Sequence, residues 1–428
     1  MFYVGIDVAK YKHDFAIIDD NGLVIIPPKT IQNSVEGFSQ LLASISSLDR
    51  SQGIKIGFEA TGHYHSNLKA FLSKHGYDFS IINPLQVSRF HSQLSLRRTK
   101  TDKVDCLVIA QFISTKNEML KSYQQPLYHL EALKSLTRLR ETYVSQRSLI
   151  LVKMTNVLDT VFPEFKAFFS NKLKSDTALF ILKKYKTPER IAKWNKNDFL
   201  LIHNHSHRIP ISKLQRIKET ASSTIGNSSK YLIDELLSLI STFKNLNTEI
   251  SYIESNIISI MNDIDSPTAS IPGIGLISAA TIISEFGDFA RFDNVNQCIA
   301  FAGLDAGINQ SGTKSFKGKM VKRGSSHLRY ALMNVIKTVC LHNETFKTYW
   351  IKKKVTDHKY LRIADSHAAK KLIRIIYYLE TNQINFDSSL CKWCNNIIHR
   401  FLNLFYIQVL FVMFSFKSIT FLKLTIVF

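Results

Sequence analysis

Cysteine is scarce in this chain. The five residues Cys106, Cys298, Cys340, Cys391 and Cys394 in 428 are too few and too scattered for a disulfide framework, so a reducing, cytoplasmic setting is expected. Cys391 and Cys394 form one CxxC, but no second Cys or His pair follows at zinc spacing, which argues against a structural zinc site. A secretory leader is missing too: "MFYVGIDVAKYKHD" is short, alternating and soon charged. The one long apolar run, Phe401 to Phe416, has 16 residues and is interrupted by Asn403 and Gln408. A membrane span needs about 20 residues, so an apolar interface helix, or translation past the ancestral end of the frame, is the better reading of this tail. Acid is the other shortage. There are 34 Asp and Glu against 55 Lys and Arg, a formal charge of +21, and none of the acids lies between Asp305 and Glu344. Such an excess favours a polyanionic partner, nucleic acid first and an anionic membrane surface second.

What is present suffices for a folded chain of two or three domains, since 45% of residues are apolar. The opening reads as α/β. "FYVGIDVA", "HDFAIID" and "GLVIIP" are three strand signals in a row, the last after the turn Asp20-Asn21-Gly22, which implies an antiparallel meander. A helix follows from a capping box at Asn33-Ser34-Val35-Glu36, with Val35, Phe38, Leu41, Leu42 and Ile45 on one face. Then come the strand "IKIGFEA", a helix closing on Gly76, the strand "DFSIINP" stopped by Pro84, and the helix "TDKVDCLVIAQFI". The expected domain of residues 1–125 is therefore three strands, helix, strand, helix, strand, helix.

Pro126 opens a long helical region, 126–265. Residues from about 165 to 227 are mixed and give no clear pattern, but Leu232, Leu236, Leu239, Phe243, Leu246, Ile250, Ile253, Ile257 and Ile260 then recur at alternating four and three. That is a heptad seam, and it favours a coiled-coil arm over an ordinary core helix. Its partner would be the helix after Pro126 or a second subunit. A compact, mainly α, basic domain is expected over 266–389, followed by the apolar tail 390–428. Within it, Pro272-Gly273-Ile274-Gly275 precedes an apolar helix. Such a turn can offer backbone N–H groups at Gly273 and Gly275 to a phosphate, although turns before helices are common. "GSSHLRYALMNVIKTVCL" is another helix, with Leu328, Leu332, Val335, Ile336 and Val339 inward.

Two sets of residues carry chemistry. Asp7 ends the first strand signal, Glu59 ends "IKIGFEA", and Asp102 and Asp105 are three apart on one helix face. Singly, each reads as an ordinary turn or helix-end acid. An RNase H-like sheet would bring all four together, and such a cluster stays ionised only with cations, because like charges raise one another's pKa. Oxygen donors suit Mg²⁺ or Mn²⁺. A second acid two residues after the first would mark the exonuclease variety of this fold, and Ala9 occupies that place. The second set is "GLDAGINQSGTKSFKGK". It carries Ser311, Thr313 and Ser315 together with Lys314, Lys317 and Lys319, and Lys322, Arg323 and Arg329 follow it. Read from spacing, it is a basic loop in which one of three hydroxyls faces a phosphate, and spacing does not say which. For any one of these cations a solvated basic face is the simpler reading. "HNHSH" (His203, His205, His207) lacks nearby carboxylates and makes a weak metal candidate.

"YVGIDVAK", "FEATGHYH", "NPLQVSRF" and "RRTKTDKVDCLVIA" resemble the N-terminal domain of the insertion sequence one-ten (110) family of bacterial transposases. "SIPGIGLISAATIISEFGD", "CIAFAGLDAGINQSGTKSFKGK" and "KRGSSHLRYALM" resemble its C-terminal domain. The resemblance covers roughly 1–115 and 266–382, and the tail after about Leu390 departs from it. It implies a RuvC-like DEDD domain holding metal at Asp7, Glu59, Asp102 and Asp105, and a nucleophilic serine at Ser311. It further implies recombination of DNA through a covalent serine–DNA link and guidance by a structured RNA. The site would be assembled from two subunits of a dimer or tetramer. The competing readings are a RuvC-type hydrolytic nuclease and a non-catalytic RNA- or DNA-binding remnant of a mobile element.

Overall fold

The structure, a computed structural model, describes residues 1–59, 64–82, 84–94, 102–117, 120, 128–169, 172–206, 209–311 and 314–388. The chain separates into two compact units, Met1–Pro126 and Leu127–Phe428.

The first unit is built on a five-stranded mixed sheet in the order β3-β2-β1-β4-β5. β1 (Phe2–Val8), β2 (Lys12–Ile18) and β3 (Val24–Gln32) form the expected antiparallel meander. β4 (Ile54–Glu59) lies parallel to β1, and β5 (Phe79–Ile82) lies parallel to β4. The turn between β2 and β3 is made by Asp19, whose Oδ1 accepts from the amides of Asn21 and Leu23 at 2.9 and 2.8 Å, with Gly22 left-handed at φ 80°. β3 continues through Pro27 and Pro28, which fall at a register shift between the paired residues Ile26 and Lys29 of this edge strand, where the ladder does not need their missing N–H groups. α1 (Val35–Ser46) is capped by Ser34, which accepts from the Gly37 amide at 3.2 Å. Its buried face is Phe38, Leu41 and Ile45, whereas Val35, expected on that face, is 73% exposed in the first turn.

α2 (His65–Lys74) ends at Gly76, left-handed at φ 69°. Pro84 does stop β5, but it also begins α3 (Pro84–Leu94), a helix absent from the sequence reading. Proline is pre-shaped for a first helical position, so one residue ends the strand and opens the helix. α4 (Asp102–Thr115) closes the unit. One face of the sheet packs Val4, Ile6, Phe15 and Ile17 against Leu41, Leu68 and Leu72 of α1 and α2. The other packs Tyr3, Ile18 and Ile82 against Val87 of α3 and Ile109 and Ile113 of α4.

Among the described residues the second unit is helical apart from one hairpin. α5 (Tyr128–Val161) and α10 (Lys230–Ile264) are 34 and 35 residues long. They pair antiparallel: Arg140 bonds Glu254 at 2.7 Å, and seven residues on, Arg147 bonds Asn247 at 3.0 Å. The partner of the heptad helix is thus the helix after Pro126 of the same chain, and a supercoiled arm stays an expectation. The buried stripe of α10 is Ile233, Leu236, Ile240, Phe243, Ile250, Ile253, Ile257 and Met261. Compared with the sequence seam, positions 233, 240 and 261 lie deepest in place of 232, 239 and 260. A heptad through them passes Asn247 and Glu254, which the arginines of α5 satisfy. A search for apolar side chains alone steps over those two positions.

Beyond one end of this helix pair, residues 162–222 form a small helical cluster that the sequence left unread. It comprises α6 (Asp176–Tyr185), α7 (Pro188–Ala192), α8 (Lys196–His205) and α9 (Ile211–Ser222), closed around Phe162, Phe165, Trp194, Ile202, Leu214 and Ile217. The remaining elements are α11 (Leu276–Phe286), α12 (Val295–Phe301), β6 (Ala306–Ser311), β7 (Lys314–Met320), α13 (Ser326–His342), α14 (Glu344–Ile351) and α15 (Leu361–Asn382). The inward set expected for α13, Leu328, Leu332, Val335, Ile336 and Val339, is buried in their common core. Among the described residues no helix is long and apolar enough to cross a membrane.

Candidate active site

The carboxylates are placed by two glycines. Gly5 of β1 and Gly57 of β4 are register partners. A Cβ on Gly5 would come within 2.3 Å of the Ala110 amide nitrogen and the Cys106 carbonyl oxygen, and one on Gly57 within 2.6 Å of Ile113. The backbone of α4 therefore rests directly on the sheet. Strand alternation puts Asp7, two residues after Gly5, and Glu59, two after Gly57, on that same face. α4 runs opposite to β1, because Cys106 and Ala110 lie over Gly5 while Asn117, just past its end, reaches the Tyr3 hydroxyl at 3.4 Å. Its first turn, with Asp102 and Asp105, consequently comes to the end of β1 that bears Asp7. Asp7, Glu59 and Asp105 are half-buried there.

A further acid joins them. Asp14 of β2 is the cross-strand partner of Asp7 and is buried at 2% exposure. Its Oδ1 accepts from the Thr30 hydroxyl at 2.5 Å, and the Lys12 ammonium lies 3.9 Å away. The sequence reading passed over Asp14 as one position of an alternating strand. The signal was there: Asp7 and Asp14 are equally far from the turn between Ala9 and Lys12, so a meander must pair them. Cys106 is pushed up to about 12 by burial, with the charges of Asp14 and Asp7 adding to it. The thiol stays neutral, and the donors on offer are carboxylate oxygens, the kind a hard divalent cation takes. Among the described residues no three His, Cys, Asp or Glu side chains are grouped closely enough to hold a metal ion, and the Asp102 side chain lies outside that set.

The basic stretch around Ser311 is a hairpin instead of a loop. β6 and β7 pair antiparallel, with Ser311 as the last residue of β6 across from Lys314, and Lys317 across from Ile308. Alternating residues such as Ile308 and Phe316 permit strands where glycines and lysines had suggested a loop. Side chains from 306 to 319, with Lys319 among them, and residues 312–313, with Thr313, lie outside the described residues. The hairpin's base is tied at several points. The Val321 amide donates to the Asp305 carbonyl at 2.9 Å, and the Ser325 amide to the Phe301 carbonyl at 2.9 Å. Arg329 donates to the carbonyls of Ala302 and Lys322, both at 3.4 Å, so this expected phosphate ligand braces the hairpin's base. Lys322, left-handed at φ 52°, and Arg323 keep exposed side chains.

Below that base, the Ser325 hydroxyl donates to Glu285 Oε2 at 2.7 Å. Glu285 is 1% exposed and takes two bonds from Arg138 of α5, from Nε at 2.6 Å and Nη2 at 3.1 Å. Burial alone would raise the Glu285 carboxyl, but bonds from Arg138 and Ser325 and the charge of Lys134 outweigh it and hold it below its ordinary value. No sequence pattern pointed to this residue, since it sits in the apolar run "LISAATIISEF" and its partners are 147 and 40 residues away.

Gly273 uses its left-handed φ of 94° to approach α13: a Cβ there would meet the Thr338 backbone at 2.7 Å, and its carbonyl accepts from the Thr338 hydroxyl at 2.9 Å. Gly275 caps α11 and has open space on its side-chain side. His203 contacts the Ile209 carbonyl at 3.2 Å, while His205 pairs with Asp176 at 2.8 Å and stacks on Phe180. His207, Cys391, Cys394 and the tail lie outside the described residues.

Two family profiles match the chain. One, described as Transposase and of the DEDD IS110 kind, covers residues 4–163. The other, described as Transposase IS116/IS110/IS902 family, covers 267–351. The chain belongs to this family of transposases. The first match spans the carboxylate sheet and α5, and the second spans the Ser311 hairpin with α11 to α14. Among relatives, a Streptomyces coelicolor mini-circle protein named as a transposase for IS117 is 24% identical over 74% of this chain and 79% of its own length. The pilin gene-inverting protein of Moraxella bovis is 24% identical over 77% of this chain and 80% of its own. Of solved structures, T. thermophilus RuvC in complex with Holliday junction substrate matches 29% of this chain and 100% of that chain, at 13% identity and a TM-score of 0.22. At that score the structural likeness carries no weight beside the profiles.

Proposed function

We propose that this family member is a DNA transposase that cuts and rejoins strands through a covalent bond between Ser311 and DNA. A divalent metal, Mg²⁺ or Mn²⁺, would be held by Asp7, Glu59, Asp102 and Asp105. One observation carries the reading: the glycine pair under α4 brings the acids of β1 and β4 to the same end of the sheet as the first turn of that helix. The strand order supports an RNase H-like description of the unit. Relatives named for transposition and for gene inversion support DNA as the substrate. When bound, the metal would offset negative charge on the phosphodiester and favour the ionised hydroxyl of an attacking group.

The chain's own residues supply the rest. Ser311 Oγ bonds to phosphorus as the bond from phosphorus to the leaving strand's oxygen breaks, and the serine proton is lost while the leaving oxygen gains one. Lys314, Lys317, Lys319, Lys322 and Arg323 offset charge on the diester as it reacts. In this reading the carboxylates of one subunit serve the Ser311 of another, and a structured RNA selects the DNA. The test is to trap protein on DNA carrying an element end, with Mg²⁺ present. Wild type is expected to give a covalent adduct, and Ser311→Ala, Asp7→Asn and Glu59→Gln none. An undiminished adduct with Ser311→Ala would move the nucleophile to another hydroxyl. Cleaved ends free of protein in wild type and in Ser311→Ala alike would make water the attacker. Sequencing RNA that co-purifies with the protein tests the guide.

A further inference from the structure

A second concentration of positive charge lies just past residue 351, where the second profile match ends. Between Lys352 and Arg374 there are eight Lys and Arg against two Asp. One acid, Asp357, offsets part of this charge, acting on Lys353, Lys352 and Lys359. Asp365 is buried and accepts from the Trp350 indole N–H at 2.8 Å, and Asp357 is taken up by Lys353 at 2.6 Å. The backbone folds the remaining cations round one corner. α14 runs into a π-helix, Lys352–Thr356, and the chain turns at His358 (φ 48°) and re-enters as α15. A π-helical turn is rare and frequently accompanies a functional site. His367 of α15 is held below its ordinary value by burial first, then by the charges of Lys353, Lys370 and Lys359. Charges from the π-helix, the turn and α15 thus act on one imidazole, with Asp357 opposing them in part.

The corner also presents aromatic surface. Lys354 lies over the Trp350 ring at 4.9 Å and Lys371 over Tyr349 at 4.8 Å, which fixes long side chains that would otherwise wander. Tyr360, beside Lys359, is 84% exposed, so its ring is open to a stacking partner. An excess of eight cations over two acids around an open ring suits a phosphate chain whose bases are free to stack, because a duplex hides its base faces.

We propose that this corner binds single-stranded DNA, with Lys354, Lys359 and Arg362 meeting phosphates and Tyr360 stacking on an unpaired base. The choice of DNA rests on the transposase reading above, since exchanging strands between duplexes leaves stretches unpaired. Binding needs no strand cleavage, so failure of the Ser311 adduct would leave this proposal standing, and the reverse holds too.

The test uses the full chain and a labelled oligo(dT) 20-mer, read by fluorescence anisotropy across a salt series. Matched duplex DNA and an RNA strand of the same length run beside it. Changing Lys354, Lys359 and Arg362 together to Ala is expected to weaken oligo(dT) binding at least tenfold. It should also lower the log–log salt slope by about 2, at roughly 0.7 per lost phosphate contact. Tyr360→Ala is expected to weaken it about tenfold with an unchanged slope, and Tyr360→Phe to restore it. Circular dichroism confirms that each variant is folded. Unchanged oligo(dT) affinity and slope in the triple variant would overturn the proposal. So would an equal loss on duplex, which would make the corner a general phosphate patch, or tighter and equally sensitive binding of the RNA strand.

Discussion

At the scale of residues, two side chains of no size and one buried acid hold the candidate site in place. Gly5 has ordinary extended backbone, so its substitution is penalised by contact alone. Gly5→Ala puts a methyl into the backbone of α4, and overpacking of this kind typically costs about 1–3 kcal/mol. Urea unfolding of the isolated variant should show that loss, and metal-dependent adduct formation should fall further than stability does, because the helix carrying Asp102 and Asp105 is lifted off the sheet. Glu285 gives a pH signature. Its folded pKa lies below the ordinary glutamate value of 4.5, so the stability it contributes is complete above that pH and is lost as pH falls through the folded value. Glu285→Gln should lower the thermal midpoint at pH 7 and flatten its decline below pH 4.5. An unchanged acid limb would show that the Arg138 and Ser325 bonds contribute nothing. Asp7, Glu59, Asp102 and Asp105 stood out as candidates in the sequence because they lie at or near the ends of elements. Asp14 was within reach only through the meander that pairs it with Asp7, and Glu285 was out of reach, because its partners lie 147 and 40 residues away.

At the scale of elements, the two long helices show how a periodic pattern is read and misread. The seam of α10 was visible, but its polar members were invisible to a search for apolar side chains. Their weight can be measured. Ile257 is fully buried, and Ile257→Ala should cost about 2–5 kcal/mol in urea unfolding. The Arg140–Glu254 pair is about one third exposed on both sides, so a double-mutant cycle with Ala at each should return a coupling of about 0.2–1 kcal/mol. A larger coupling would mean that the polar positions hold the pair together as firmly as the apolar ones do. Proline taught the same lesson in the first unit. Pro27 and Pro28 lie within an edge strand and Pro84 begins a helix, so a residue taken as a stop marks only what the local backbone cannot donate.

At the scale of the whole molecule, charge and topology act on different observables. A formal +21 makes any nucleic-acid affinity strongly dependent on salt. Neutralising the carboxylates leaves that charge intact or raises it, so Asp7→Asn with Glu59→Gln should bind element-end DNA at least as tightly as wild type while forming no adduct. Weakened binding in that variant, measured by gel shift at fixed salt, would mean the acids shape the DNA-binding surface as well. The class of partner, the meander, the buried face of α13 and the long helices all follow from composition and from side-chain period, which are properties of neighbours along the chain. The seating of α4 on Gly5 and Gly57 and the tie from Arg138 through Glu285 to Ser325 do not. Each joins residues far apart in sequence, through contacts whose energy exists only once the sheet is paired and the helices are packed.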